Sequence, residues 1–167
     1  MIHTIREFVD QWGEESKKTS RMMAALTDAS LAAPVGPDDR NLGRIAWHVA
    51  QSIGEIATRT GLVINAPAPE APVPSTALAI REAYAAAARS LADAVQFAWT
   101  DDTLKVQDAM YGETWTRAAS LHSIIVHEIH HRGQMSVLLR QAGLRVPGTY
   151  GPAREEWATH GMPTPAI

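Results

Sequence analysis

Apolar positions along the chain fall into four long stripes with helical spacing. Ile2, Ile5, Phe8/Val9, Trp12, Met22/Met23 and Leu26, with Thr19 in register, recur in steps of three and four. That period marks a helix with one buried face. Pro34, Gly36 and Pro37 interrupt it, and Asp38, Asp39 and Asn41 are available to cap the next helix. The second stripe is Leu42, Ile45, Val49, Ile53 and Ile56, ending near Gly61. The third is Ile80, Tyr84, Ala87, Leu91 and Val95, with Ser75 or Thr76 as its cap. The fourth is predicted from about Trp115 to Ala142. Its inner face carries Leu121, Ile124/Ile125, Met135 and Leu138/Leu139, and Gly143 is a left-handed terminator.

The joints between these stripes set the organisation. Residues 65–74 read NAPAPEAPVP, with prolines at 67, 69, 72 and 74. Such a stretch favours an extended connection. It reads as a crossover between helices, because neither flank is self-sufficient. Residues 99–114 are mixed, with Gly112 as a breaker, and no convincing run of strands appears. The tail turns at Pro147-Gly148 and Gly151-Pro152 and is expected to fold back over the bundle, anchored by Trp157. The expectation is one all-α domain over residues 1–167. It holds four long helices, with an extended crossover after the second and an irregular C-terminal tail.

Composition narrows the chemistry. A chain of 167 residues can bury a core without disulfides or a structural metal, so a metal here would serve function. The net charge of −3, without basic runs interleaved with aromatics, argues against nucleic acid as a partner. The absence of cysteine excludes disulfides, thiolate ligands and a cysteine nucleophile. No signal peptide and no membrane-spanning run are evident, so the expected location is the cytoplasm.

The seven histidines are the informative residues. His122, His127, His130 and His131 lie in one predicted helix. Residues four apart lie about 40° apart around a helix axis and one turn along it. His127 and His131 therefore present two imidazoles from one face, a spacing that suits two ligands on one divalent ion. Apolar neighbours turn that face inward, where two unpartnered imidazoles would be costly. His48, between Ile45 and Val49 in the second stripe, is the best-placed third ligand, although sequence alone does not bring it opposite the pair. His122 and His130 point to either side of the pair and suit structural or supporting roles. Ser52 and Gln134, each near one turn from a ligand candidate, could touch a ligand or a substrate, or be ordinary polar groups at a helix interface.

A competing motif overlaps the pair. His127-Glu128-Ile129-His130-His131 satisfies H-E-x-x-H, the zinc-peptidase helix in which the glutamate is the general base. The longer metzincin continuation fails, with Gln134 at its glycine and Val137 at its third histidine.

HEIHHRGQMSVLLRQAGLRVPG, residues 127–148, resembles the signature helix of the DinB-like superfamily, HHRGQ above all. NLGRIAWHVAQ, residues 41–51, resembles that family's second helix and its histidine, and PGTYGPAREEW, residues 147–157, the end of one of its branches. The resemblance implies an up-down-down-up four-helix bundle with a long crossover after helix 2, frequent homodimers, and a three-histidine site for one divalent ion. Zinc and nickel are its first candidates and iron is also compatible. Carried over by position, the ligands are His48, His127 and His131. Glu128 departs from the glutamine or small residue expected there. Some relatives are transferases or isomerases that use low-molecular-weight thiols. Three neutral imidazoles leave a tetrahedral ion an open position, where a water or a substrate thiol could be activated. The functions left open are a metal-dependent enzyme on a small molecule, a metal-binding stress protein without turnover, and the zinc peptidase.

Overall fold

The structure, a computed structural model, describes residues 2–166. Four helices dominate: α1 (Ile5–Ala24), α2 (Leu42–Arg59), α3 (Ala77–Ala98) and α4 (Arg117–Gln141). Each starts at a side-chain cap. The side-chain oxygens of Thr4, Asn41, Thr76 and Thr116 accept hydrogen bonds from the amides of Glu7, Arg44, Ala79 and Ala119. Gly143, at φ +75°, takes the left-handed position beyond α4. α1 packs on α3 and α4, and so does α2, so α1 and α2 face each other across the bundle. Phe8, Trp12, Leu42, Ile45, Ile80, Tyr84, Leu91, Leu121 and Leu139 are among the residues of one continuous core. The expected all-α bundle is what the chain forms.

The crossover after α2 is extended as expected, and α2 itself holds it. Trp47 Nε1 donates to Ala71 O at 2.9 Å, and Gln51 Nε2 lies 2.7 and 2.8 Å from the carbonyls of Ala68 and Pro69. Gly54 lets the strap lie close, since a Cβ there would stand 2.7 Å from Ala66 Cβ. Proline-rich backbone has few donors but keeps its carbonyls, and these are the groups α2 satisfies.

Two expectations need correction. Residues 99–114 are not merely irregular. A short 3-10 helix (Asp101–Lys105) leads into an antiparallel hairpin, β1 (Gln107–Met110) and β2 (Glu113–Thr116). Its two-residue turn places both Tyr111 (φ 52°) and Gly112 (φ 84°) in the left-handed region. Tyr111 is an unusual residue for that position, and four-residue strands leave too little alternation to read. The tail does fold back, but Trp157 is only half-buried. Polar contacts hold the tail instead. Tyr150 reaches Arg132 of α4, Glu155 pairs with Arg140, and Glu156 accepts from the amides of Gly148 and Ala153.

Candidate metal centre

His127 and His131 project from the middle of α4, and His48 from the middle of α2, which packs against it. The three ε2 nitrogens converge. His48 Nε2 lies 3.2 Å from His127 Nε2, and His131 Nε2 lies 3.1 Å from it. The rings meet edge to face, with centroids 4.4 to 4.9 Å apart. Among the described residues these three form the group of His, Asp or Glu side chains able to share one ion.

Two features of this convergence fit a metal. A ring nitrogen has one in-plane site, either a lone pair or an N–H. His127 Nε2 faces two other ring nitrogens and can hydrogen-bond well to only one. His131 Nδ1 lies 2.7 Å from Gln134 Oε1, so in the neutral ring Nδ1 carries the proton and Nε2 offers a bare lone pair. Two nitrogens each about 2.05 Å from a tetrahedral ion stand about 3.3 Å apart, close to the spacings here. A cation among the three lone pairs resolves contacts that hydrogen bonding cannot.

Electrostatics keep these lone pairs free. Burial, reinforced by the neighbouring histidines and Arg40, pushes His48 down to about 4 from its ordinary 6.5. Burial and the nearby His131 and His130 bring His127 to about 4 as well. His131 is also lowered by burial, partly opposed by the hydrogen bond to Gln134. All three are neutral at pH 7, the form that ligates.

The other candidates divide. Gln134 reaches one of the converging rings, its Oε1 lying 2.7 Å from His131 Nδ1. His130 is exposed, with its ring edge-on to His131 at 4.9 Å. Ser52 turns back on its own helix, donating to Val49 O at 3.1 Å. His122 is half-buried, and its Nδ1 has no partner among the described residues.

Glu128, only 2% exposed, lies on another face of α4. Tyr84 donates to its Oε1 at 2.7 Å from α3, and burial raises its carboxyl to about 7. A carboxyl turned into the core and bonded to a tyrosine is not placed to act as base at the histidine cluster, which counts against the peptidase reading. One turn on, Arg132 is also buried. It donates to Glu15 O at 3.0 Å, Thr19 Oγ1 at 2.9 Å and Tyr150 Oη at 2.7 Å, and it forms an ion pair with the Glu15 carboxylate. Tyr150 in turn donates to Glu15 Oε2 at 2.6 Å. Burial pushes the Glu15 carboxyl up, but Lys18, Tyr150 and Arg132 together bring it below its ordinary value. The face of α4 about 100° round from the histidines is therefore locked to α1, α3 and the tail. Sequence reasoning missed this network. Its trace was a charged pair four apart, Glu128 and Arg132, on a face otherwise made of core residues.

The model of the DinB family matches residues 1–164. The chain belongs to the DinB family. It is 42% identical over 167 residues, and over 100% of both chains, to "Uncharacterized protein YrdA" of Bacillus subtilis (strain 168). The crystal structure of a DinB-like protein from Bacillus cereus ATCC 10987 matches with a TM-score of 0.87 and 39% identity, covering 90% of this chain and 100% of that one. YjoA, a DinB-like protein of B. subtilis, matches with a TM-score of 0.68 at 14% identity, covering 86% and 97%. At that identity the likeness speaks for the fold alone. No helix among the described residues is long and apolar enough to cross a membrane.

Proposed function

We propose that this DinB family protein binds one divalent ion through the ε2 nitrogens of His48, His127 and His131 and acts on a small molecule, in thiol-dependent S-transfer or isomerisation. The observation that carries the reading is the convergence of three ring nitrogens, those of His48 and His131 lying 3.2 and 3.1 Å from that of His127 and all three within 4.8 Å of one another. When bound, a divalent ion supplies Lewis acidity, lowering the pKa of a thiol and steadying the thiolate. The chain has no cysteine, so a thiol at this centre belongs to the substrate.

The chain's own residues bind and orient. Gln134 fixes the tautomer of His131 and aims its lone pair. The Arg132–Glu15–Tyr150 network and the Tyr84–Glu128 bond hold the adjoining face of α4, so that His127 and His131 keep their spacing.

The test is metal content and affinity in His48→Ala, His127→Ala, His131→Ala and Glu128→Gln. Each histidine variant should lose affinity by orders of magnitude, whereas Glu128→Gln should keep its metal. Full affinity in His48→Ala would refute the three-ligand assignment. For turnover, metal-loaded protein should speed consumption of a low-molecular-weight thiol by an alkylating electrophile, and chelation should abolish the effect. A loaded protein inert across thiols and electrophiles would leave a metal-binding protein without this chemistry.

A further inference from the structure

The flank of α4 that carries His127 also borders a groove of about 650 Å³, lined by Trp115, Ala119, Ser123 and Val126 together with the imidazoles of His122, His127 and His130. Most of the surface these side chains expose to the groove is apolar. Its size is in the range of cavities that take small organic ligands. One imidazole thus serves two places, since His127 points Nε2 at the other histidines and also forms part of the groove wall.

Trp115 is the one large aromatic wall, and the hairpin holds it in place. It lies on β2 opposite Asp108 of β1, and its Nε1 donates to Glu113 Oε2 at 2.7 Å. Two contacts tie the hairpin to the helices. Arg117 donates to Asp108 at 2.9 Å, and Tyr111 donates to Glu55 of α2 at 2.9 Å beneath the guanidinium of Arg59. The indole is half-buried: it packs against the core from outside, with the ring of Tyr111 tilted beside it at 5.9 Å, and the rest of it borders the groove. A hairpin braced to two helices that leaves a tryptophan against a groove makes a fixed stacking surface. The groove between α1 and α3, lined by Val9, Trp12 and Ala88 among others, is also apolar, but it borders none of the three converging histidines.

We propose that the groove beside His127 is the subsite for a flat, apolar group of the organic substrate, stacked on Trp115 and held against the edge of the metal centre. The proposal rests on the metal reading for its chemistry and deepens it. The partner that the thiol attacks, or the body of the molecule that is isomerised, carries an aromatic or similarly flat apolar portion.

The probe is 4-fluorotoluene, followed by fluorine NMR with cobalt-loaded protein and with zinc-loaded protein as the diamagnetic reference. Saturable binding with relaxation faster in the cobalt form is expected. Trp115→Ala should weaken binding about tenfold and Trp115→Phe should recover most of it, the scale expected for an aromatic contact. Ser123→Phe, which fills the groove from the exposed flank of α4, should weaken binding to a similar degree. Ala85→Phe, which fills the α1/α3 groove, should leave it unchanged. Absence of saturable binding would overturn the proposal. So would indifference to both Trp115→Ala and Ser123→Phe, loss of binding in Ala85→Phe, or a bound probe that cobalt does not relax. If the protein holds no cobalt, the metal reading fails by itself, and the affinities of the variants in metal-free protein still decide whether the groove binds.

Discussion

Single residues on α4 divide the helix into a side for chemistry and a side for anchorage. Gln134 belongs to the first. Gln134→Leu removes the acceptor that sets the His131 tautomer, and metal affinity should fall about 10- to 100-fold, read by competition with a chelating dye. Glu128 belongs to the second, and its test is a pH profile. Its folded pKa of about 7 lies above the ordinary 4.5, so the folded protein holds an extra proton between those values. That contribution is full below pH 4.5 and is lost as pH rises through about 7. His48 and His127 have the opposite sign. Their folded values, about 4, lie below 6.5, so they oppose folding as pH falls from 6.5 toward 4. Glu128→Gln removes only the first effect. In metal-free protein the variant should gain stability relative to the parent as pH rises from 5 to 8, by up to about 3 kcal/mol, measured by urea denaturation. A parallel pair of profiles would show that Glu128 is not titrating in the core. The histidine pair was legible because a spacing of four is a property of one helix. The anchoring network was not, because Glu15, Arg132 and Tyr150 meet through packing of segments far apart in sequence.

At the scale of elements, legibility followed length. Helices of 18 to 25 residues carry enough turns for their apolar stripes to show. Strands of four residues joined through Tyr111-Gly112 do not, and the hairpin was found only in the structure. The crossover shows how an irregular element depends on a helix beside it. Gly54→Val would drive a branched side chain into Ala66, and overpacking of this kind costs about 1 to 3 kcal/mol. Denaturation should show that loss. Amide exchange should show where it acts, with the bonded amides of the strap, Asn65 and Ala71, losing protection before α1 does. Uniform loss of protection along the chain would mean that the strap is not a separate unit.

For the whole molecule, the core and the proposed metal centre are expected to make separable contributions. The core joins all four helices through large side chains such as Trp12, Tyr84 and Phe8. Protein stripped by a chelator should keep its helical circular dichroism and melt at a lower temperature. Divalent metal at 100 times its dissociation constant should restore about 2.7 kcal/mol. Unfolding on chelation would make the ion a structural element. The arrangement of helices also bears on how the chain is made. α1 leaves the ribosome first, but its neighbours are α3 and α4, and Glu15 meets Arg132 across 117 positions of sequence. Contacts so distant must await nearly the whole chain, so folding is expected to be slow for a helical protein. Until α3 emerges the apolar face of α1, with Phe8, Trp12 and Met22, has no partner helix, and until α4 emerges it has only one of its two. Nascent chains arrested before α4 should therefore be bound by chaperones that recognise apolar segments, and chains long enough to place Tyr150 outside the exit tunnel should be released from them.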